Sequence, residues 1–382
     1  MPVFAGIVIY KKWYKNWNLW YVKNLFLLMG IIALSILINK QWMAVNDWFE
    51  IYKVIKYLLV FLIFKELTPP LKKITGIDII VSCLLIFNFL HYHNWFHFNE
   101  TVMPVFCGEN SIHLTHFGLN SAGLPAVKRM IGTIGNPNNN AILFLILMLF
   151  YLPKEKWKIK DIGFFTLCLI AFLACQSRTS LVAFFVIILV HFVIIKMKWQ
   201  KLLIYCSFIV AVMCVFFFTN ISSPTSTASD INISHSLEVS SNYALTLLDG
   251  SAIKSGSWNL RIELWKQFLS QIAERPIFGH APQKNSFYEQ KLYFENEYIL
   301  ILWRYGILGF ISFIGFYLIP FKKILKTVRT SEISKNTLLL ILIFAICGLS
   351  NNPLIHPTLS LLFFSYLGVY YSQKKDNQSV SS

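Results

Sequence analysis

Residues 202–218 read LLIYCSFIVAVMCVFFF, a run without a charged side chain, and the chain then turns abruptly polar: residues 220–297 carry eight acidic and six basic side chains. The apolar run approaches the ~20 residues that a helix needs to cross a bilayer. The polar stretch cannot lie in hydrocarbon, where every backbone group must be satisfied internally. Nine more apolar runs with few or no charges repeat the pattern. Six precede it, at 25–38, 51–64, 77–90, 141–152, 162–174 and 181–195; three follow, at 298–320, 337–349 and 359–371. Several reach full length only with flanking aromatic, Asn or snorkelling Lys residues. The expected fold is all-α, a polytopic transmembrane helical bundle of about ten spans with a large outer loop. It divides into an N-terminal membrane bundle (1–219), the loop (220–297) and C-terminal spans with a tail (298–382).

Composition agrees. Of 382 residues, 56% are apolar, with 34 Phe and 11 Trp, which points to a surface facing lipid. Residues 1–10 are too short to cross and lack the basic start and small-residue cleavage site of a secretory signal, so they read as an interfacial segment.

The net charge of +16 does not imply nucleic acid. In the ten-span reading, 21 of the 34 basic residues fall in alternate connections or at the ends, on one face. The positive-inside rule makes that face cytoplasmic, with both termini on it. The 220–297 loop and a second loop at 91–129 are then outside. Six of the seven cysteines sit in or beside spans, so no disulfide framework or metal spacing follows. His91, His93, His97, His113 and His116 match no recognised metal site.

Within the large loop, residues 257–272 read SWNLRIELWKQFLSQI. Trp258, Ile262, Trp265, Leu269 and Ile272 recur at helical spacing, so the segment predicts an amphipathic helix. It should stop before Pro276, with Gly279 marking the following turn. Arg261 falls on the edge of the apolar stripe, where it needs a partner.

Three ordered patches carry a family resemblance. The first is RMIGTIGNPNNN at 129–140, opening a span. The second is SRTS at 177–180. The third comprises RIELW at 261–265, RPIFG at 275–279 and ENEY at 295–298, leading to GILG at 306–309. Together, with ten-odd spans and one large outer loop, they resemble the O-antigen polymerase and ligase superfamily of bacterial membrane glycosyltransferases. The resemblance implies an enzyme that joins glycans carried on undecaprenyl pyrophosphate at the outer face of the inner membrane, without a metal, cofactor or nucleotide sugar. Polymerases pass the growing chain to the next repeat unit; ligases pass the finished chain to lipid A core. Ligase-like members usually have His-Asn where this chain has Glu295-Asn296, which favours the polymerase. The resemblance also implies a chain-length regulator as partner.

Leaving pyrophosphate needs cations, and arginine binds phosphate oxygens bidentately while staying charged. Arg178 and Arg261 lead, with Arg129 third; the competing role is bonding to headgroups, helix ends or loop carboxylates. Glu295 is the candidate base, or alternatively a solvated or helix-start carboxylate. Glu297 and His280 are weaker candidates for the same task. Asn136, Asn138 and Asn296 could bond sugar hydroxyls through their amides, but Asn136-Pro137 is also an ordinary helix start. Arg304, inside an apolar run, must snorkel, pair or face a cavity, and a structural role fits it best. A transporter would need a polar pathway, and Asp78, the one acidic residue inside the apolar runs, lies at a cytoplasmic edge.

Overall fold

The computed structural model describes residues 6, 16, 18–67, 76–102, 105, 129–153, 158–195, 203–212, 256–289 and 294–372. Among these there is no strand. Thirteen helices follow in order: α1 (Trp20–Ile38), α2 (Val45–Leu67), α3 (Ile77–His93), α4 (Phe98–Thr101), α5 (Pro137–Met148), α6 (Ile159–Ala174), α7 (Arg178–Ile195), α8 (Leu203–Val212), α9 (Gly256–Ile272), α10 (Lys284–Glu289), α11 (Glu297–Thr327), α12 (Glu332–Cys347) and α13 (Pro357–Ser372). Each of the ten apolar runs overlaps one of them, the run 202–218 through its described part at 203–212. By length and composition α1, α7 and α11 can each cross a membrane, and the pair formed by α3 and residues 95–101, bent by 108°, makes a fourth candidate. The rest of the polar loop before α9, like residues 106–128 with His113 and His116, lies outside the described residues.

The chain divides into two compact units. One comprises residues 1–73 and 259–382, the other 74–258.

In the first unit α13 packs along α2 and α11 along α1. Aromatic rings fill the space between them: Tyr57 stacks on Phe364 at 4.6 Å and Tyr21 lies 5.0 Å from Phe61. In a lipid-facing bundle the hydrophobic effect does not hold helices together, so polar contacts between them matter more. Asn24 of α1 supplies one, donating from Nδ2 to the Ser312 carbonyl at 2.8 Å while Ser312 Oγ donates back to the Asn24 carbonyl at 3.2 Å.

The helix α11 is broken at Gly306, whose φ of 62° and ψ of −165° no helix contains. The break strands four backbone groups: the N–H of Ile307 and Leu308, and the carbonyls of Trp303 and Arg304 that these would bond in a continuous helix. The segment 276–281 satisfies all four. Ile307 N–H donates to the Pro276 carbonyl (2.8 Å) and Leu308 N–H to that of Ile277 (3.4 Å), while His280 and Ala281 donate their N–H groups to the carbonyls of Trp303 (2.9 Å) and Arg304 (3.0 Å). Ser35 Oγ of α1 adds a bond to the Arg304 carbonyl, and Asn39 Nδ2 one to the Gly279 carbonyl. Broken backbone at membrane depth is tolerated only where protein re-satisfies it. Here the RPIFG stretch and the two residues after it, His280 and Ala281, do so.

In the second unit α5 packs on α6, and α3 meets the turn at 132–134. Asn140 Nδ2 donates to Asn88 Oδ1 at 2.8 Å, tying α5 to α3 with both side chains fully buried. Asp78 accepts from Tyr151 at 2.8 Å and pairs with Lys160, so its charge is engaged within the fold.

Candidate functional site

The loop helix α9 forms where the 3.6-residue periodicity predicts it. Its buried side is turned slightly from the predicted stripe. Phe268 is buried and Leu269 is exposed, so the face that packs inward runs through Trp265, Phe268 and Ile272. Phe268 meets Phe294 at 4.6 Å and Trp303 at 5.0 Å, which docks α9 on the first half of α11. Trp303 Nε1 donates to Gln271 Oε1 at 2.8 Å, fixing the rotation of the helix.

Arg261 lies seven residues before Phe268, two turns back on the same face, and is half-buried. Its guanidinium forms an ion pair with Glu295, both side chains being about one-third exposed. The partner that Arg261 requires is therefore a residue of the ENEY patch. Next to Glu295, Asn296 caps α11: its Oδ1 accepts from the N–H groups of Tyr298 and Ile299, both at 3.1 Å. Its side chain is buried and its acceptor is used by the helix start.

Glu297 points elsewhere. Its Oε1 accepts from the Ile355 N–H at 3.0 Å, and its side chain is completely buried. Beside Ile355, burial lowers the His356 imidazole below its ordinary value. His280 is buried with its ring stacked on Trp303 (centroids 4.9 Å apart) and its Nε2 bonded to the Gln271 carbonyl at 2.9 Å. That makes it a prop between α9 and the broken helix.

In the second unit, Arg129 Nε donates to the Cys175 carbonyl at 3.0 Å. Its Nη2 donates to Asn138 Oδ1 at 2.8 Å and to the Gln176 carbonyl at 3.2 Å. The guanidinium thus closes the C-terminal end of α6, a position where cations are favoured. Arg178 is two residues beyond Gln176, half-buried at the first turn of α7, and Ser177 and Ser180 beside it share a hydrogen bond of 2.9 Å. Asn136 caps α5, its Oδ1 accepting from the N–H groups of Asn138 and Asn139, while the residue itself stays exposed.

Two sets of predicted residues are therefore brought together: Arg261 with Glu295, and Arg129 with Asn138 beside Arg178. Glu50 and Lys53 carry no signal in the sequence, because charges in the second and third turns of a helix look like ordinary span-flanking residues. Nothing local marks them as neighbours of α11.

Residues 163–314 match the family model described as O-antigen ligase, which supports the O-antigen polymerase and ligase superfamily. No curated protein matches the chain.

Proposed function

We propose, from the premise that this chain is a membrane enzyme of the O-antigen polymerase and ligase type, that it is the polymerase. It joins repeat units carried on undecaprenyl pyrophosphate at the outer face of a bacterial cytoplasmic membrane. The observation that carries this reading is the ion pair between Arg261 and Glu295. A carboxylate, bound to an arginine, stands where ligase-like members have histidine.

In the proposed reaction the acceptor hydroxyl oxygen attacks the anomeric carbon of the donor glycan. The bond from that carbon to the phosphate oxygen breaks, and its electron pair leaves with the lipid pyrophosphate. The hydroxyl proton passes to Glu295. Arg261 meets the departing charge, using the remaining donors of its planar fork. Phosphate oxygens compete with Glu295 for those donors, so donor binding releases the carboxylate to accept the proton. Arg178 is proposed as an anion-binding residue on its residue type and motif alone. Arg129, whose donors bind Asn138 and two carbonyls, is assigned to positioning.

The description of the matching family favours a second reading, the ligase. Surface polysaccharide from a strain lacking this protein, run beside the complemented strain, separates the two. A lost ladder with a single repeat unit still on its acceptor is expected for the polymerase. Bare acceptor with polymer stranded on its lipid carrier would establish the ligase, and an unchanged ladder would overturn both.

A further inference from the structure

Arg304 is the last residue but one before the break in α11. It is 7% exposed, and its Nε has no hydrogen-bond partner among the described residues. Its guanidinium lies over the Phe287 ring, 5.0 Å from the centroid, which shields one face and leaves the edge with its N–H donors. Around it stand Lys53 of α2 and Lys284 of α10, both reaching Glu50 Oε1 at 2.8 Å. The charges of Lys53, Arg304 and Lys284 all act on the Glu50 carboxylate. Asp47, the other carboxylate here, accepts from the backbone N–H groups of Gln283 and Lys284. Three cations thus face two carboxylates, and one of the cations is almost wholly removed from water.

A buried guanidinium short of hydrogen bonds is an expensive arrangement unless something completes it. The surroundings leave room. Tyr305, 2% exposed and with a hydroxyl that has no partner among the described residues, lines a cavity of about 50 Å³ together with Glu50, Lys53, Glu297 and mainly apolar side chains, while Arg304 and Lys284 stand outside that lining. That is enough for water molecules beside the cluster. The side chains of Lys53 and Lys284 are 26% and 24% exposed, so a ligand can reach them. In membrane proteins, interrupted helices recur at substrate sites; here the protein satisfies the freed backbone, and the unpaired charge is what remains for a ligand.

We propose that Arg304, Lys53 and Lys284 form a phosphate site that holds the pyrophosphate of the acceptor, the second lipid-linked substrate. This rests on the polymerase reading. A polymerase must hold two lipid pyrophosphates at once, one that departs and one that stays on the product, and a ligase has only the first. The Arg261–Glu295 pair is assigned to the first, and the Arg304 cluster is a separate set of charges suited to an anion that is bound and not expelled.

The test is equilibrium binding of radiolabelled undecaprenyl pyrophosphate to the full chain in phosphatidylcholine nanodiscs. Two molecules per protein are expected for the wild type and one for Arg304→Gln, with Arg304→Lys retaining the second. Lys284→Gln, at a more exposed position, should weaken one of the two sites by about ten-fold or more while the protein melts normally. Unchanged binding of two molecules by both Gln variants would overturn the proposal. Full displacement of the second molecule by phosphatidylglycerol in the nanodisc would make this a headgroup site, and displacement by inorganic pyrophosphate alone a free-phosphate site; either overturns the acceptor assignment. Chain growth by Arg261→Ala is scored separately. If growth persists there, the catalytic reading fails while the binding result at Arg304 stands.

Discussion

Gly279 rests on the carbonyl group of Arg304: a Cβ at Gly279 would stand 2.5 Å from that carbonyl carbon and 2.6 Å from its oxygen. The converse contact is as close, since a Cβ at Gly306 would stand 2.3 Å from the Ile277 oxygen. The obstacles are backbone atoms held by the four hydrogen bonds across the break, so no side-chain rotation relieves them. Both glycines also have positive φ, and Gly306 occupies a region that is essentially closed to other residues. Gly279→Ala and Gly306→Ala should each lower stability by about 2 kcal/mol or more. Thermal melting of the purified protein in detergent checks this, with Gly30→Ala, where nothing lies within 4 Å, expected to melt like the wild type.

Arg261 and Glu295 are each about one-third exposed, so their pairing contributes at most about 1 kcal/mol to stability. Arg261→Ala should therefore insert and fold, yet lose chain growth by about 100-fold or more. Glu295→Gln should also lose most activity, because the amide cannot take a proton. A polymerisation assay on the purified variants decides, and wild-type rates in both would remove the pair from the mechanism.

The Glu297 carboxylate bonds the Ile355 N–H in a fully buried setting. Glu297→Gln keeps an acceptor oxygen there and should change stability little. Glu297→Ala leaves that N–H unsatisfied and should destabilise by about 1–3 kcal/mol. Equal melting temperatures for the two variants would contradict this.

Asn136 uses its side-chain oxygen to cap α5. Replacement by Ala should remove about 1 kcal/mol, and replacement by Ser should restore most of it. If Asn136→Ser melts normally but polymerises poorly, the amide does bind sugar in addition to capping.

The sequence alone predicts the ten apolar helices and the docking helix. Hydropathy and 3.6-residue periodicity are local properties, and the membrane leaves the backbone of an apolar run little choice but to bond to itself. It also showed that Arg261 sits on the edge of an apolar stripe and must find a partner. It did not show that the partner is Glu295, nor that RPIFG and GILG, which read as separate patches, clasp each other around a broken helix. A single long apolar run at 298–320 carries no local sign of that break except Gly306, and glycine is common in membrane helices.

These relationships come from the packing of segments distant in sequence. Asn39 reaches Gly279 across 240 positions of sequence and Ser35 reaches Arg304 across 269. Such contacts arise from how helices pack, which depends on the shapes of many side chains together. For the same reason Arg304, which reads in sequence as a span residue in need of rescue, proves in the fold to stand with Lys53 and Lys284 around Glu50. Burial sets the free energy of a charge, and burial belongs to the packed bundle and not to the residue.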